Sequence, residues 1–467
     1  MQSTPPLASD APVGHIAELE DLFRAAEKPR EQFRIGAEAE KFGIETVPGR
    51  PFSGGPLQYS GPRSVLAVFE RLSAKHGWTG VSEAPGGPLI ALERGGASIT
   101  LEPGGQFELS GAPLADVHAI HAEFEQHYAE LAGISSELGI EWLSLGFQPF
   151  ARFAELSWVP KERYAIMKKY LPSRGRRGQD MMQRTATVQA NFDYSDEEDA
   201  MRKLRMLLGL APVFQAMCAN APFIEGRVSE LASERLDVWL NMDPDRSGLM
   251  PRLWKSERPR YRDYVEWALD AGMFFIKRPD ARLVLNTGQT FRDFMANGFE
   301  GERATHADWF RHLATLFPDV RLKSTLEVRT CDALPGDLTP AVPALFTGLL
   351  YDEQALAEAE ELARGVTLEA ATASRAEVPR KGLSGRLGTK PVRELAERLL
   401  GIAAGGLSRR GCLNAQGQDE GIFLQPLARL VSQGLCPADE LRGSAPPGSA
   451  LDRSALGRAQ VARAAPL

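Results

Sequence analysis

The sequence predicts an α+β fold in which a curved antiparallel sheet forms a bowl and helices back its outer side. Two patterns lead to this prediction. Several segments alternate polar and apolar side chains with a period of two, which is typical of strands that bury one face. Longer segments between them repeat apolar residues with a helical period and predict helices that cover the apolar faces. The polar faces of the strands would then collect inside the bowl.

The first predicted strand, residues 34–43, carries two glutamates, Glu38 and Glu40. Side chains two positions apart on a strand point to the same face, so these carboxylates lie side by side. At a separation of a few ångströms and an effective dielectric constant of 20, their repulsion is about 4 kcal/mol. Water around an exposed strand or a bound cation would relieve it, and the pair alone favours neither.

The second strand region, residues 97–110, predicts two strand pieces joined by a Pro-Gly-Gly turn. Alternation places Glu102 on the polar face before the turn and Glu108 on the polar face after it. These two residues therefore add further carboxylates to the predicted bowl.

The third and fourth predicted strands, residues 184–193 and 320–329, add amides and cations to the same face. The polar positions of the third strand include Thr187, Gln189 and Asn191. Those of the fourth strand are Arg321, Lys323, Thr325, Glu327 and Arg329. Three cations and one carboxylate on one strand face are unusual if solvation is their only role.

Apolar periodicity also predicts the helices. They cover residues 16–26, 64–76, 113–138, 164–171 and 196–219, and the chain after Pro335 is mostly helical as far as Leu435. We expect a loose segment over residues 1–13, one domain over residues 14–442 and a low-complexity tail over residues 443–467.

Composition argues against several classes of protein. The net charge of −7 leaves no basic excess to neutralise the phosphates of a nucleic acid. No run reaches the ~20 apolar residues that span a bilayer, and no secretory leader is evident. The four cysteines show no Cys-x-x-Cys pair and no zinc-site spacing. We therefore expect a cytoplasmic protein with no nucleic-acid or membrane partner.

The chemistry of the predicted bowl follows from its charges. Five glutamates share it: Glu38, Glu40, Glu102, Glu108 and Glu327. Roughly two or three Mg²⁺ ions that bridge to a polyphosphate would neutralise them, since sites rich in oxygen suit hard cations. Three arginines at the rim, Arg184, Arg235 and Arg329, suit a bidentate grip on carboxylate or phosphate. This combination indicates ATP-driven activation of a carboxylic acid.

Four segments carry a resemblance to a known family: RIGAEAEKFG, ITLEPGGQFELSGAPL, DMMQRTATVQANFDYS and RLKSTLEVRT. They resemble glutamate–cysteine ligase of the plant and proteobacterial type, and the resemblance runs from about Ile16 to Arg442. It implies a fold like the catalytic domain of glutamine synthetase, with residues 14–442 as the ligase domain. It also implies formation of γ-glutamylcysteine from glutamate, cysteine and ATP through a γ-glutamyl phosphate, the first step of glutathione biosynthesis. We expect a monomer or a homodimer.

The resemblance also implies roles for individual residues. The metal ligands would be Glu38, Glu40, Glu102, Glu108, Gln189 and Glu327. Substrate would contact Arg184, Arg235, Met182, Trp239 and Thr187, and ATP would contact Lys323, Arg321 and Asn191. Arg329, facing the transferring phosphoryl group, and Glu327 would be the catalytic residues. Ala186 and Pro340 stand where plant enzymes have cysteines, so redox control of the plant kind is not expected.

Three other functions stay open on the residues alone. Another ATP-dependent carboxylate–amine ligase of the same superfamily would keep the metal face and change the amine acceptor. A metal-dependent phosphohydrolase would release phosphate without an acceptor. A binding protein without catalytic activity would have no need of every carboxylate.

Overall fold

The computed structural model describes residues 9–47 and 49–461. Within them the chain forms a nine-stranded sheet in which every pair of neighbours is antiparallel. The strands are β1 (Ile35–Glu45), β2 (Thr79–Ser82), β3 (Leu89–Arg94), β4 (Ala97–Leu101), β5 (Phe107–Ser110), β6 (Ile140–Leu143), β7 (Thr187–Phe192), β8 (Val320–Leu322) and β9 (Leu326–Asp332). Their order is β8-β9-β7-β1-β5-β4-β3-β2, and β6 pairs with the second half of β1.

Sixteen α-helices lie before, between and after these strands in the described chain. They are α1 (Asp21–Arg24), α2 (Val65–His76), α3 (Val117–Leu138), α4 (Glu162–Tyr170), α5 (Gly178–Arg184), α6 (Glu197–Met217), α7 (Glu234–Leu240), α8 (Tyr261–Ala268), α9 (Phe291–Asn297), α10 (His306–Ala314), α11 (Ala341–Leu350), α12 (Glu353–Ala363), α13 (Leu368–Lys381), α14 (Val392–Arg410), α15 (Gln425–Ser432) and α16 (Pro437–Arg442). No helix in the described ranges is long and apolar enough to cross a bilayer.

Short elements complete the described structure. The 3₁₀ segments are Ile16–Glu20, Arg30–Gln32, Phe153–Glu155, Leu171–Ser173, Pro251–Trp254, Gly382–Ser384, Glu420–Leu424 and Arg453–Ala459. Two-residue strands pair as Phe223–Ile224 with Arg227–Val228, Ser247–Gly248 with Phe317–Pro318, Ile276–Lys277 with Leu283–Val284, and Arg386–Leu387 with Lys390–Pro391.

The predicted antiparallel sheet backed by helices is confirmed. Helix α3 packs on β1, while α6 and α11 pack on β9 and β7. The alternate side chains that face these helices, among them Ile35, Ala37 and Val188, are buried. The sheet therefore keeps its other face, with the glutamates and amides, for a different use.

A bulge in β9 changes which side chains reach that polar face. Val328 pairs with Ala190, but Cys331 pairs with Val188, so β9 contains one more residue than β7 between these two pairs. Because side chains alternate along a strand, the extra residue exchanges the two faces beyond the bulge. Cys331 thus joins the core, and Asp332 lies opposite Thr187 on the polar side.

The residues after Gly443 that the structure describes, as far as residue 461, pack against the domain. Leu456 and Ala459 are buried in a cluster with Ile44 and Leu143. Residue Ser9, within the segment predicted to be loose, accepts a backbone hydrogen bond from Ala307 at 2.8 Å. The predicted division of the chain at residues 13 and 443 stays a prediction, but the described parts of both flanking segments contact the domain.

Helices α11 and α14, behind the sheet, cross closely through glycines. A Cβ atom added at Gly406 of α14 would lie 2.0 Å from the carbonyl oxygen of Gly348 in α11. A Cβ atom added at Gly348 would lie 2.3 Å from the carbonyl oxygen of Ala403. The two backbones are therefore too close for any side chain at these positions.

We expect Gly406→Ala to lower the free energy of unfolding by about 1–3 kcal/mol, because the extra methyl group forces the two helices apart. Gly401→Ala is the matched control on the same helix, since nothing lies within 4 Å of its added Cβ. It should be neutral or stabilise by up to about 1 kcal/mol through helix propensity. Urea denaturation of both variants measures the difference, and equal stabilities would contradict the close crossing.

Candidate active site

The polar face is centred on β1, which pairs with β7 on one side and β5 on the other. Glu38 lies opposite Gln189, and Glu40 lies opposite Glu108. Glu38 accepts hydrogen bonds from the amides of Gln189 at 3.1 Å and Asn191 at 2.9 Å. The register therefore brings carboxylates of neighbouring strands together, as the alternation predicts.

Four of the five glutamates predicted to share the polar face form what we call the acidic cluster: Glu38, Glu40, Glu102 and Glu108. Glu40 accepts a hydrogen bond from the backbone N–H of Thr187 at 3.1 Å, and Glu108 accepts one from the Thr100 hydroxyl. No Lys or Arg in the described chain forms a salt bridge with any of the four. The cluster therefore concentrates negative charge that its hydrogen bonds only partly offset.

The pKa values of Glu38, Glu40 and Glu108 report this excess. Burial, followed by the negative charge of Glu102, raises the pKa of Glu40 well above its ordinary value. Burial, followed by the charges of Glu38 and Glu40, does the same to the pKa of Glu108. The pKa of Glu38 is also raised, first by burial and then by the charge of Glu327. A bound cation would oppose each of these shifts.

Glu327 has the opposite environment. Its carboxylate accepts two hydrogen bonds from Arg321, at 2.7 and 2.9 Å, and a third from Arg329. Burial opposes its ionisation, but the charges of Arg321 and Arg329 outweigh burial and lower the pKa of Glu327 to about 2. Arg329 also donates to the amide oxygen of Gln189. Two of the expected metal ligands are thus already bound by arginine.

The structure does not assemble the expected metal ligands into a coordination shell. Among the described residues no group of three or more His, Cys, Asp or Glu side chains is arranged to hold a metal ion. Gln189 and Glu327 each present their oxygen atoms to Arg329. The acidic cluster nonetheless offers only carboxylate oxygens and an excess of negative charge, the donor chemistry that hard divalent cations require.

Arg184 ends α5 and is 3% exposed. Its Nη1 atom donates to Asp180 at 3.2 Å and to Glu225 at 3.3 Å, and its guanidinium lies 4.6 Å from the centre of the Phe147 ring. Its Nε and Nη2 atoms are buried and have no hydrogen-bond partner. These two atoms form the edge of a guanidinium that binds a carboxylate through two parallel hydrogen bonds.

Arg235 is also buried, on α7, and it does not form a surface ion pair with Glu234 or Asp237. Arg177 binds both of those carboxylates, at 2.9 and 2.7 Å. Arg235 instead donates to the backbone carbonyl of Arg329 at 2.8 Å and lies 3.5 Å from Asp332.

A small cavity of about 10 Å³ is lined by Arg235, Arg329 and Trp239, and the indole N–H of Trp239 is buried without a partner. A space of this size holds one water molecule at most. An amino acid would therefore enter this part of the site only after side chains move.

The remaining predicted site residues have these positions. The Thr187 hydroxyl donates to the Cys331 carbonyl at 2.6 Å, so it joins two strands. The carbonyl of Met182 accepts from Gln106 at 3.1 Å, and its side chain is buried. Lys323 lies beyond Arg321, where burial and then the Arg321 charge lower its pKa to about 8. Their predicted contacts with substrate and ATP stay predictions.

Comparison with known proteins adds a family to this geometry. Residues 34–459 match glutamate-cysteine ligase family 2. The chain is 40% identical over 417 residues to glutamate–cysteine ligase B, chloroplastic, of Oryza sativa subsp. japonica, which covers 89% of this chain and 80% of that protein. It is 38% identical over 417 residues to the chloroplastic enzyme of Arabidopsis thaliana, covering 89% of this chain and 76% of that one.

A solved structure shows the same fold. The glutamate–cysteine ligase of Francisella tularensis in complex with AMP superposes with a TM-score of 0.53 at 11% sequence identity. The superposition covers 93% of this chain and 88% of that chain. At this level of identity the similarity establishes the fold alone.

The expected cytoplasmic location is wrong on this comparison, because these plant relatives are named chloroplastic. That expectation rested on composition and on the absence of a recognisable leader. A targeting segment is distinct from the folded domain, so the domain's own composition carries no record of its compartment.

We expect Glu108→Gln and Glu327→Gln to change stability in opposite directions in protein freed of divalent cations with EDTA. Glu108→Gln removes a buried carboxyl that the folded, metal-free protein either ionises against repulsion or has to keep protonated, so it should raise the melting temperature. Glu327→Gln leaves Arg321 and Arg329 without their buried partner and should cost about 3–5 kcal/mol. Thermal unfolding at neutral pH measures both, and shifts of the same sign would contradict this division of charge.

The pH dependence of the Glu108 effect follows from its raised pKa. The folded protein holds a proton on Glu108 more tightly than the unfolded chain does. The free energy of unfolding therefore falls as the pH rises from 4.5 through the raised value. The decline should be smaller in Glu108→Gln than in the unaltered protein, and the advantage of the variant should disappear at acidic pH.

Proposed function

The chain belongs to glutamate–cysteine ligase family 2, and we propose that the polar face of its sheet binds the substrates of this family's reaction. The protein is an ATP-dependent ligase that forms γ-glutamylcysteine, the first step of glutathione synthesis.

The reaction has two steps. The γ-carboxylate of glutamate attacks the terminal phosphorus of ATP, and ADP leaves with the electrons of the broken P–O bond. The amine of cysteine then attacks the carbonyl carbon of the γ-glutamyl phosphate, loses a proton and displaces phosphate. Water has to be excluded between the two steps, because it would hydrolyse the acyl phosphate.

The observation that carries the proposal is the separation of charge on one sheet face. The acidic cluster on β1 and around β4 and β5 has no salt-bridge partner in the described chain, whereas β8, β9 and the turn between them carry Arg321, Arg329 and Lys323. Cations on one side suit the phosphates of ATP, and carboxylates on the other suit the metal ions that accompany them.

We assign the phosphate side to β8 and β9. Arg329 is held in place by Glu327 and Gln189, so its guanidinium is oriented before substrate arrives. We propose that Arg329 faces the transferring phosphoryl group and that Glu327 positions it. Arg321, Lys323 and Asn191 would contact the rest of the nucleotide phosphates.

We assign roughly two or three Mg²⁺ ions to the acidic cluster, on the strength of its oxygen donors and its raised pKa values. When bound, such ions offset the negative charge that builds on the phosphoryl group. The further ligands expected from the sequence, Gln189 and Glu327, would each have to exchange an arginine contact for an ion. The acidic cluster therefore suits the metal better than those two residues do.

We assign the unpaired hydrogen-bond donors of Arg184 to the binding of glutamate. The free edge of Arg184 suits one carboxylate of glutamate, and Arg235, beside Trp239, suits the region near the amino-acid backbone. Met182 and Thr187 would line this side. An unpaired guanidinium edge is expensive to bury without a ligand, which supports a substrate role for Arg184.

The direct test measures ADP release from MgATP and glutamate, with and without cysteine. We expect rapid release only with all three substrates, no release without glutamate, and loss of activity in EDTA. Hydroxylamine in place of cysteine should trap γ-glutamyl hydroxamate from the acyl phosphate. Release that needs no amine would indicate a phosphohydrolase, and a preferred amine other than cysteine would indicate a related ligase.

Arg184→Lys tests the assignment of glutamate. A lysine keeps the charge but cannot form the two parallel hydrogen bonds. The loss of binding free energy for glutamate should be roughly 1.5–3 kcal/mol, so the KM for glutamate should rise about tenfold to a hundredfold. The KM for ATP should hardly change. Arg176→Lys is the control, because Arg176 is exposed and donates to Asn241 in the neighbouring loop. An equal KM for glutamate in the two variants would remove Arg184 from the substrate site.

A further inference from the structure

Glu225 lies in a turn and has a positive φ angle, which a glutamate rarely adopts. Phe223 pairs with Val228, and Ile224 pairs with Arg227, so Glu225 and Gly226 form a two-residue hairpin turn. Their φ angles are 49° and 76°. Turns with two positive φ angles favour Asn-Gly or Asp-Gly, and a glutamate in this region is uncommon. The residue therefore needs an explanation beyond the turn itself.

The side chain of Glu225 has a specific contact. Its Oε1 atom accepts from Nη1 of Arg184 at 3.3 Å. The side chain of Glu225 is 48% exposed, and a pair with one exposed partner contributes at most about 1 kcal/mol to stability. Stability alone thus does not account for the contact.

The contact controls which edge of the Arg184 guanidinium stays free. Asp180 and Glu225 both bind Nη1, and the buried Nε and Nη2 atoms are left without partners. Asp180 is shared, because its second oxygen accepts from Arg177 at 3.0 Å. Glu225 is therefore the carboxylate dedicated to Arg184 among the contacts described.

The hairpin at residues 223–228 is itself held by residues 448–451, which we call the C-terminal strap. The Leu451 N–H donates to the Gly226 carbonyl at 2.8 Å, the Val228 N–H donates to the Ser449 carbonyl at 3.0 Å, and the Gly448 N–H donates to the Val228 carbonyl at 2.8 Å. Arg227 and Ala450 form an antiparallel bridge. The strap thus adds a third strand to the hairpin at the turn that bears Glu225.

We propose that Glu225 is a positioning residue for the glutamate substrate and that the C-terminal strap holds it in place. Glu225 fixes Nη1 of Arg184 so that Nε and Nη2 meet the substrate carboxylate, and the strap fixes the turn. This inference rests on the proposed role of Arg184 as the ligand of that carboxylate.

Glu225→Gln tests the first part, because it keeps the size and backbone of the residue and removes its charge. The KM for glutamate should rise about five- to twentyfold, below the roughly hundredfold effect of a misplacement by 1 Å. The kcat and the KM values for ATP and cysteine should stay within about a factor of two. This is the result expected when a variant weakens the binding of one substrate equally in the ground state and the transition state. Glu230→Gln is the control: Glu230 is exposed, pairs with Arg380 at 2.6 Å and should leave every constant unchanged.

Leu451→Pro tests the strap, because proline lacks the N–H that bonds to Gly226. It should reproduce the selective rise in the KM for glutamate, whereas Leu451→Ala, which keeps the N–H, should not. Circular dichroism and the kcat show whether each variant is folded, and Glu225→Gln tests the proposal even if Leu451→Pro does not fold.

The outcomes separate this inference from the proposed function. If Arg184→Lys raises the KM for glutamate and Glu225→Gln does not, the positioning role is wrong and the glutamate site stands. If Arg184→Lys leaves that KM unchanged, the glutamate site is wrong and the positioning role falls with it. If Glu225→Gln lowers kcat and also raises the KM values for glutamate, ATP and cysteine by similar factors, the role of Glu225 is purely structural and the inference is overturned.

Discussion

The structure depends on how charge is neutralised at the centre of one sheet. β1 has a neighbour on each side, so Glu38 and Glu40 lie where water has limited access. Register then brings Glu108 directly opposite Glu40. Burial and mutual repulsion favour protonated carboxyls in the protein alone, and a cation favours the ionised form. A cation that binds this face only in the folded state would therefore add to the stability of the protein, since it shifts the folding equilibrium.

The two halves of this sheet face differ in how their charges are neutralised, and this difference can orient a ligand that carries both positive and negative charge. Around β8 and β9, arginines already bind Glu327 and lower its pKa to about 2, so this half is oriented and its charges are paired. Around β1 and β5 the carboxylates lack such partners. A phosphate chain with its counter-ions carries both signs of charge, and only a surface that separates them can hold both in one orientation. The antiparallel register, which places these strands side by side, is what produces the separation.

Much of this face follows from a period of two in the sequence, because alternation fixes which side chains share a surface without any knowledge of partners. It identifies β1, β4, β5, β7 and β9 with their polar residues. It misses β2, β3 and β6, and β6 has only four residues directly after a long helix, too few for a period to show. The single strand predicted over residues 320–329 is wrong, because the chain turns after Leu322 and β8 and β9 pair as a hairpin. It also cannot choose between ion-pair partners. Glu234 and Asp237 are the nearest carboxylates to Arg235 in sequence, yet Arg177 binds both, and the bulge in β9 brings Asp332 to Arg235.

The contacts of Arg184 show which interactions can be predicted from the sequence and which cannot. Asp180 is one helical turn before Arg184, so a local pattern could predict that pair. Glu225 is 41 residues away in a turn, and the C-terminal strap is still more distant. Residues beyond Gly443 are rich in Ala, Gly, Pro and Ser, which indicates a segment without a core of its own. Backbone N–H and C=O groups, however, add a strand to a hairpin without any side-chain pattern. Composition therefore identifies a segment that cannot fold alone, but it cannot exclude that segment from a fold whose open edge accepts it.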